Sequence, residues 1–261
     1  MTGPTRCNTA RCTPFFSLLT LVFALASPAL AQTVSDSTFL DANWALTQAT
    51  AGLGGSSTAA QAATGGNPGS YRNVTDALNA APPGSNTTVL STSIYTPFTY
   101  NPAVSGPIGA LSYSEDAECT GGCFGAGQST GPAVQQGGNL YILNSQLITG
   151  PGLTWANHSL SGLTSADFSI VSVTPTTIFD NSQHPNFSAA GGPIQFGFFR
   201  ANSTGFNLGG YTLSAGIDNW QITIAAGSSA AATVPTLSQW SIVVLALMIA
   251  LIGLALTRRA Q

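Results

Sequence analysis

Along "PIQFGFFRA" (193–201), Ile194, Phe196 and Phe198 fall on one side of an extended chain, with Gln195, Gly197 and Phe199 on the other. "NWQITIA" (219–225) repeats the pattern: Trp220, Ile222 and Ile224 alternate with Gln221 and Thr223. Such alternation marks a strand of an antiparallel sheet with one face in the core. Further strands are predicted at "TFLDANWAL" (38–46), "IGALSYS" (108–114), "NLYILNSQLI" (139–148), "DFSIVSVT" (167–174) and "YTLSAG" (211–216). No part of this region sustains a helical period, and "TAAQAA" (58–63) is short and ends in Gly-Gly. The expectation is an all-β, antiparallel β-sandwich of jelly-roll type over residues 32–224. "AAGSSAAAT" (225–233) reads as a flexible tether after it.

The two ends follow other rules. Arg6 and Arg11 precede the apolar run Pro14–Ala26, and Ala29-Leu30-Ala31 gives a small-x-small cleavage pattern. Residues 1–31 therefore read as a secretory signal peptide cut after Ala31, between Ala29-flanked small positions and Gln32. At the other end, residues 241–257 are almost wholly apolar, and Arg258-Arg259 follow. A helix there spans roughly 25 Å, close to a hydrocarbon core of about 30 Å. Trp240 suits the outer interface and the arginines the cytoplasmic side.

Just before that segment stands "VPTLSQW" (234–240). Residues 234–261 resemble the bacterial IPTL-CTERM sorting domain, in which a Pro-Thr-Leu-x-x-Trp signature precedes a transmembrane helix and a basic tail. Val234 stands in place of isoleucine and Ser241 in place of the glycine that follows the tryptophan, while Pro235, Thr236, Leu237, Trp240, Arg258 and Arg259 match in order. The resemblance implies processing by an exosortase-like membrane transpeptidase and delivery to the cell surface or the extracellular matrix. A GPI-type signal built on "GSSAAA" (227–232) is the alternative address, opposed by the closing arginines.

Charge narrows the function classes. Only 6% of residues are charged, against about a quarter in ordinary domains, and there is no lysine. The nine acidic residues all lie between Asp36 and Asp218, where Arg72 and Arg200 are the only basic ones. Nucleic acid is excluded as a partner because phosphate binding needs a basic patch.

Candidate chemistry is sparse. Cys119 and Cys123 in "ECTGGC" are the only cysteines after the leader, so an exported protein is expected to close them into a local disulfide. Glu115, Asp116 and Glu118 precede it. On a continued strand Asp116 and Glu118 share a face and Glu115 points away. With Asp218 they are the candidate ligands for a structural Ca²⁺ ion. A catalytic constellation is not expected: His158 and His184 sit in loop-like contexts, and "GQSTG" (127–131) lacks the strand that a nucleophile elbow needs.

Aromatic rings suit sugar faces, and Trp155, Tyr95 and Tyr100 are the candidates, with Trp220 assigned to the core. "GGNPGSY" (65–71), "FSAAGGPIQFGFFRANS" (187–203) and "GIDNWQI" (216–222) look like parts of laminin-type and concanavalin-like sandwich domains. That resemblance implies an extracellular recognition or matrix module. The reading is a non-enzymatic, exported surface protein that binds extracellular polysaccharide or serves as a structural envelope module. A secreted polysaccharide hydrolase or lyase acting at Glu115–Glu118 is the alternative.

Overall fold

The computed structural model describes residues 31–123, 127–145, 147–148, 154–173, 179–204, 209–227 and 239–259. Two antiparallel sheets face one another. The six-stranded sheet runs β10 (Ala156–Leu163), β6 (Ile108–Gly121), β14 (Tyr211–Ala226), β4 (Gly69–Leu78), β3 (Gly55–Gly66), with β1 (Gln32–Asp36) beside the C-terminal part of β14. The eight-stranded sheet runs β12 (Phe179–Asp180), β11 (Phe168–Val171), β8 (Asn139–Leu143), β7 (Ser129–Gln136), β13 (Ile194–Ser203), β5 (Thr88–Tyr95), β2 (Trp44–Ala51), with β9 (Leu147–Ile148) against β7. A short helix, α1 (Pro102–Ser105), follows the N-cap Asn101, whose side chain accepts from Ala103 N–H. The antiparallel β-sandwich expected from the alternating pattern is what the chain forms.

The core lies between the sheets. Leu213, Ala215, Ile217, Trp220, Ile222 and Ile224 of β14 are all buried. That set needs one extra residue between Ile217 and Trp220, and the register supplies it. Asp218 pairs with Asp116 and Gln221 with Ser114, so three steps on β14 oppose two on β6. Asn219 takes the bulge position at φ 49°, in the left-handed region that Asn tolerates better than most residues. One strand of 16 residues therefore replaces the two expected at 211–216 and 219–225. It runs on through Ala226, two residues into the segment read from the sequence as a tether.

From the other sheet, Trp44 fills the centre. Its ring meets Trp220 at 5.0 Å, Phe198 at 5.4 Å and Phe39 at 5.6 Å, and its indole N–H donates to Asp36 Oδ2 at 2.8 Å. Full burial of aromatic side chains of this size is the main apolar contribution to the fold. The same Asp36 accepts from Thr38 N–H, Thr38 Oγ1 and Phe39 N–H. This turn ends β1 and keeps residues 38–43 out of the sheets, so the strand expected at 38–46 starts only at Trp44. "TAAQAA" lies in the sheet-edge strand β3.

Residues 239–259 form one helix, α2 (Gln239–Arg259). The side chains of 239–244, 253–255 and 259 lie outside the described set, and among the described residues no helix is long and apolar enough to cross a membrane. The signal-peptide positions up to Leu30, including Ala29, and the signature Val234, Pro235, Thr236 and Leu237 lie outside the described residues. Ala31 is the first described residue, and Trp240, Arg258 and Arg259 belong to α2.

Candidate functional site

Because strand side chains alternate, the buried rows of the six-stranded sheet leave a second set pointing outward. On β6 these are Ser112, Ser114, Asp116, Glu118 and Thr120, and on β14 Ser214, Gly216, Asp218, Gln221 and Thr223. β4 adds Tyr71, Asn73 and Thr75, and β10 adds Asn157 and Ser159. Hydroxyls and carboxamides dominate this face. Their mutual bonds hold several in place: Thr75 Oγ1 and Ser214 Oγ are 2.7 Å apart, and Thr120 Oγ1 donates to Asn73 Oδ1 at 2.6 Å.

A trough of about 320 Å³ runs over the β14–β6–β10 part of the face. Ser112, Ser114, Ser159, Ser161, Gln221 and Thr223 line it. Beyond it along β6 sits a knot of acids and amides. Asp116 Oδ1 accepts from Asn157 Nδ2 at 2.9 Å, and Asp116 Oδ2 accepts from Asn67 Nδ2 at 3.1 Å and Asn219 Nδ2 at 2.7 Å. Asp218 accepts from the backbone N–H groups of Asn67 and Asn219. Burial raises the Asp218 carboxyl above its ordinary value; those two N–H groups oppose the shift and the adjacent Asp116 charge adds to it.

Past the knot, two rings lie on the sheet. Trp155 and Tyr71 pack edge to face with centroids 5.4 Å apart, and the indole N–H donates to Gly65 O at 3.1 Å. Gly216 makes room for them. A Cβ there would lie 2.7 Å from Trp155 Cη2 and 2.9 Å from Tyr71 Cδ2, so any other residue would push the rings off the strand. Gly216 stands between Asn73 on β4 and Glu118 on β6. Burial raises the Glu118 carboxyl; burial first, and the Glu118 charge second, raise the Tyr71 hydroxyl.

The expected site residues divide between this face and the interior. Asp116 and Glu118 share the outward face, as the period-two reading required, and the β14–β6 register brings Asp218 opposite Asp116. As calcium ligands the three do not converge: among the described residues no three carboxylate, imidazole or thiolate side chains come together as a metal site. Trp155 stands on the face. Tyr95 and Tyr100 do not stand on this face. Tyr95 is half-buried and packs against Trp44 at 5.2 Å and Trp220 at 5.6 Å. Tyr100 is buried by its backbone bridge to Ile194, and its hydroxyl donates to Ser105 O and Gly106 O.

Cys119 and Cys123 form the expected disulfide, across a turn in which Gly122 adopts φ 65°. Glu115 points inward and is fully buried. It accepts from Arg200 Nη1 at 3.0 and 3.1 Å, from Thr130 Oγ1 at 2.9 Å and from the Tyr113 hydroxyl. His158 lies on strand β10 opposite Glu115, His184 Nδ1 lies 2.6 Å from Phe168 O, and Ser129 opens β7.

The sequence reading passed over Tyr71, Asn73, Asn157 and the trough residues. "SYRNVTDAL" does alternate, but its inward set of Arg72, Val74, Asp76 and Leu78 contains two charged residues. The face that looked polar and the face that looked mixed could not be told apart without the fold.

No curated protein matches the chain. Among solved structures it is similar to the family 11 carbohydrate-binding module of a cellulosomal cellulase of Clostridium thermocellum. Identity is 11%, coverage is 75% of this chain and 97% of that one, and the TM-score is 0.40. It is also similar to the tandem CBM22 domain of a Paenibacillus barcinonensis protein, at 11% identity over 80% of this chain and 49% of that one, with a TM-score of 0.42. Residues 232–259, spanning the signature, α2 and the paired arginines, match the IPTL-CTERM motif, and the chain carries that sorting motif behind its β-sandwich.

Proposed function

We propose that this is an exported cell-surface protein that binds polysaccharide along the outward face of its six-stranded sheet. The observation that carries this reading is the face itself. Ser112 to Glu118 covers about 20 Å of strand at roughly 3.3 Å per residue, enough for an extended polymer to lie along it. Hydroxyls and amides of the trough match sugar hydroxyls, and the Tyr71–Trp155 pair offers the apolar ring surface on which a pyranose face stacks. The IPTL-CTERM motif supplies the route. A secretory leader brings the chain across the membrane, the helix after Trp240 holds it there with Arg258-Arg259 inside, and an exosortase-like enzyme cuts near 234–240.

The test uses the full chain in mild detergent, run through native gels that contain bacterial or plant polysaccharides. Retardation by at least one polymer is expected, and Trp155→Ala should weaken it about tenfold, the equivalent of one good aromatic contact. No retardation by any polymer overturns the binding reading. Processing has its own check: surface protein from the native host should lack the peptide "LTRRAQ", and its recovery intact refutes cleavage.

A further inference from the structure

We propose that Glu118, Tyr71 and Trp155 form a subsite for the protonated amine of an amino-sugar unit, so that the preferred polymer carries free amino groups. This inference rests on the polysaccharide reading above and specifies its substrate class.

The argument begins with where positive charge is not. The β-sandwich has two basic side chains, Arg72 and Arg200, and the chain has no lysine. Both arginines point into the sandwich. Arg72 is 2% exposed and donates to Asp41 at 2.8 Å; Arg200 is fully buried against Glu115. A uronate or sulfated polymer laid on the outward face would therefore meet the Glu118 carboxylate and no cation, and like charges in contact are repelled.

The second step separates the three outward carboxylates. Asp116 and Asp218 are already satisfied by N–H groups of Asn67, Asn157 and Asn219. Glu118 is different. It is half-buried, and among the described residues none hydrogen-bonds or ion-pairs with its carboxylate. A partly desolvated carboxylate without a partner is costly, and the natural remedy is a bound cation. The third step is the company Glu118 keeps. Across the strand from it Gly216 has no side chain, and the Trp155 and Tyr71 rings fill that space. A sugar stacked on these rings brings a ring substituent alongside Glu118. An ammonium there gains a charge-assisted hydrogen bond and the attraction of two π systems; an N-acetyl group gains neither.

The experiment compares two preparations of one β-linked aminoglycan, fully N-acetylated chitin oligosaccharide and its deacetylated counterpart, slightly below neutral pH. The full chain and two variants are titrated by calorimetry in detergent. The deacetylated form should bind about tenfold more tightly to the native protein, corresponding to 1.4 kcal/mol. Glu118→Gln should bring the two affinities to within about twofold of each other. Asp180→Asn removes the same charge from β12 on the other sheet and should leave the preference intact. Equal binding of both forms, or equal loss of preference in the two variants, overturns the amine subsite and leaves polysaccharide binding standing. Failure of these and of every neutral polymer to bind overturns both.

Discussion

Glu115 and Asp116 are neighbours on β6 and live in opposite worlds. Glu115, on the inward face, is fully buried and saturated by Arg200, Thr130 and Tyr113. Asp116, one residue on, faces out, held by three asparagine amides, with Glu118 open two residues further along. At this pair of positions, charge inside is matched by charge, whereas charge outside is matched by neutral dipoles or left unmatched. The inward set fixes how the sheets meet; the outward set is free to meet something else. In a chain with so few ionisable groups, this partition assigns nearly every one of them a side.

The comparison breaks most readily at its inward end. Arg200→Met leaves Glu115 as an uncompensated buried charge and should cost about 3–5 kcal/mol of unfolding free energy, measured by urea denaturation of the full chain. Adding Glu115→Gln to that variant should recover most of the loss, because the cost comes from the orphaned charge. If the double variant is no more stable than the single, the pair is not the unit supposed here.

A smaller effect is expected at Asp76, also inward, on β4. Burial raises its carboxyl to about 6, against hydrogen bonding and the Arg200 charge, which act to lower it. Since the folded value lies above the unfolded one near 3.8, the folded state holds the proton more tightly. The associated stability is fully present below about pH 4 and is lost as pH rises through about 6. Asp76→Asn should therefore stabilise the protein near neutral pH by on the order of 2–3 kcal/mol, and the advantage should vanish in acid. A pH-independent difference between variant and parent would contradict this assignment. The outward substitutions, Trp155→Ala and Glu118→Gln, come last: they should alter polymer binding and leave unfolding almost where it was.

How much of this was legible follows the physics of each element. The period-two pattern of β13 and of the second half of β14 reported their core faces directly, and on β6 it separated Glu115 from Asp116 and Glu118 before any fold was known. It failed where local chemistry opposed the pattern. β7 carries Pro132 in the middle of a strand that has neighbours on both sides, a position where proline is rare, and no strand was expected there. β4 hides charged residues on its core face. The candidate site was half visible. Trp155 and the two β6 carboxylates could be named from the sequence, because their types and spacing are local facts. Asp218 beside Asp116, and Tyr71 against Trp155, are products of register between strands distant in sequence. Tyr95 and Tyr100 looked like rim residues because proline surrounds them, yet Tyr100 is buried where the chain folds back to bridge Ile194, and Tyr95 is half-buried against Trp44 and Trp220.

The length and position of β14 have a mechanical consequence. The polypeptide leaves the sandwich from the end of this 16-residue strand, which lies inside the sheet, bonded to β6 along its length and to β4 and β1 on its other side. A load entering through a polymer on the sheet face and leaving through the C-terminal segment would pull β14 along its own axis. The rungs of three ladders would then resist together, in shear, instead of opening one after another like a zipper. Under the polysaccharide reading proposed above, the strand that takes this load is one bonded to neighbours on both of its sides.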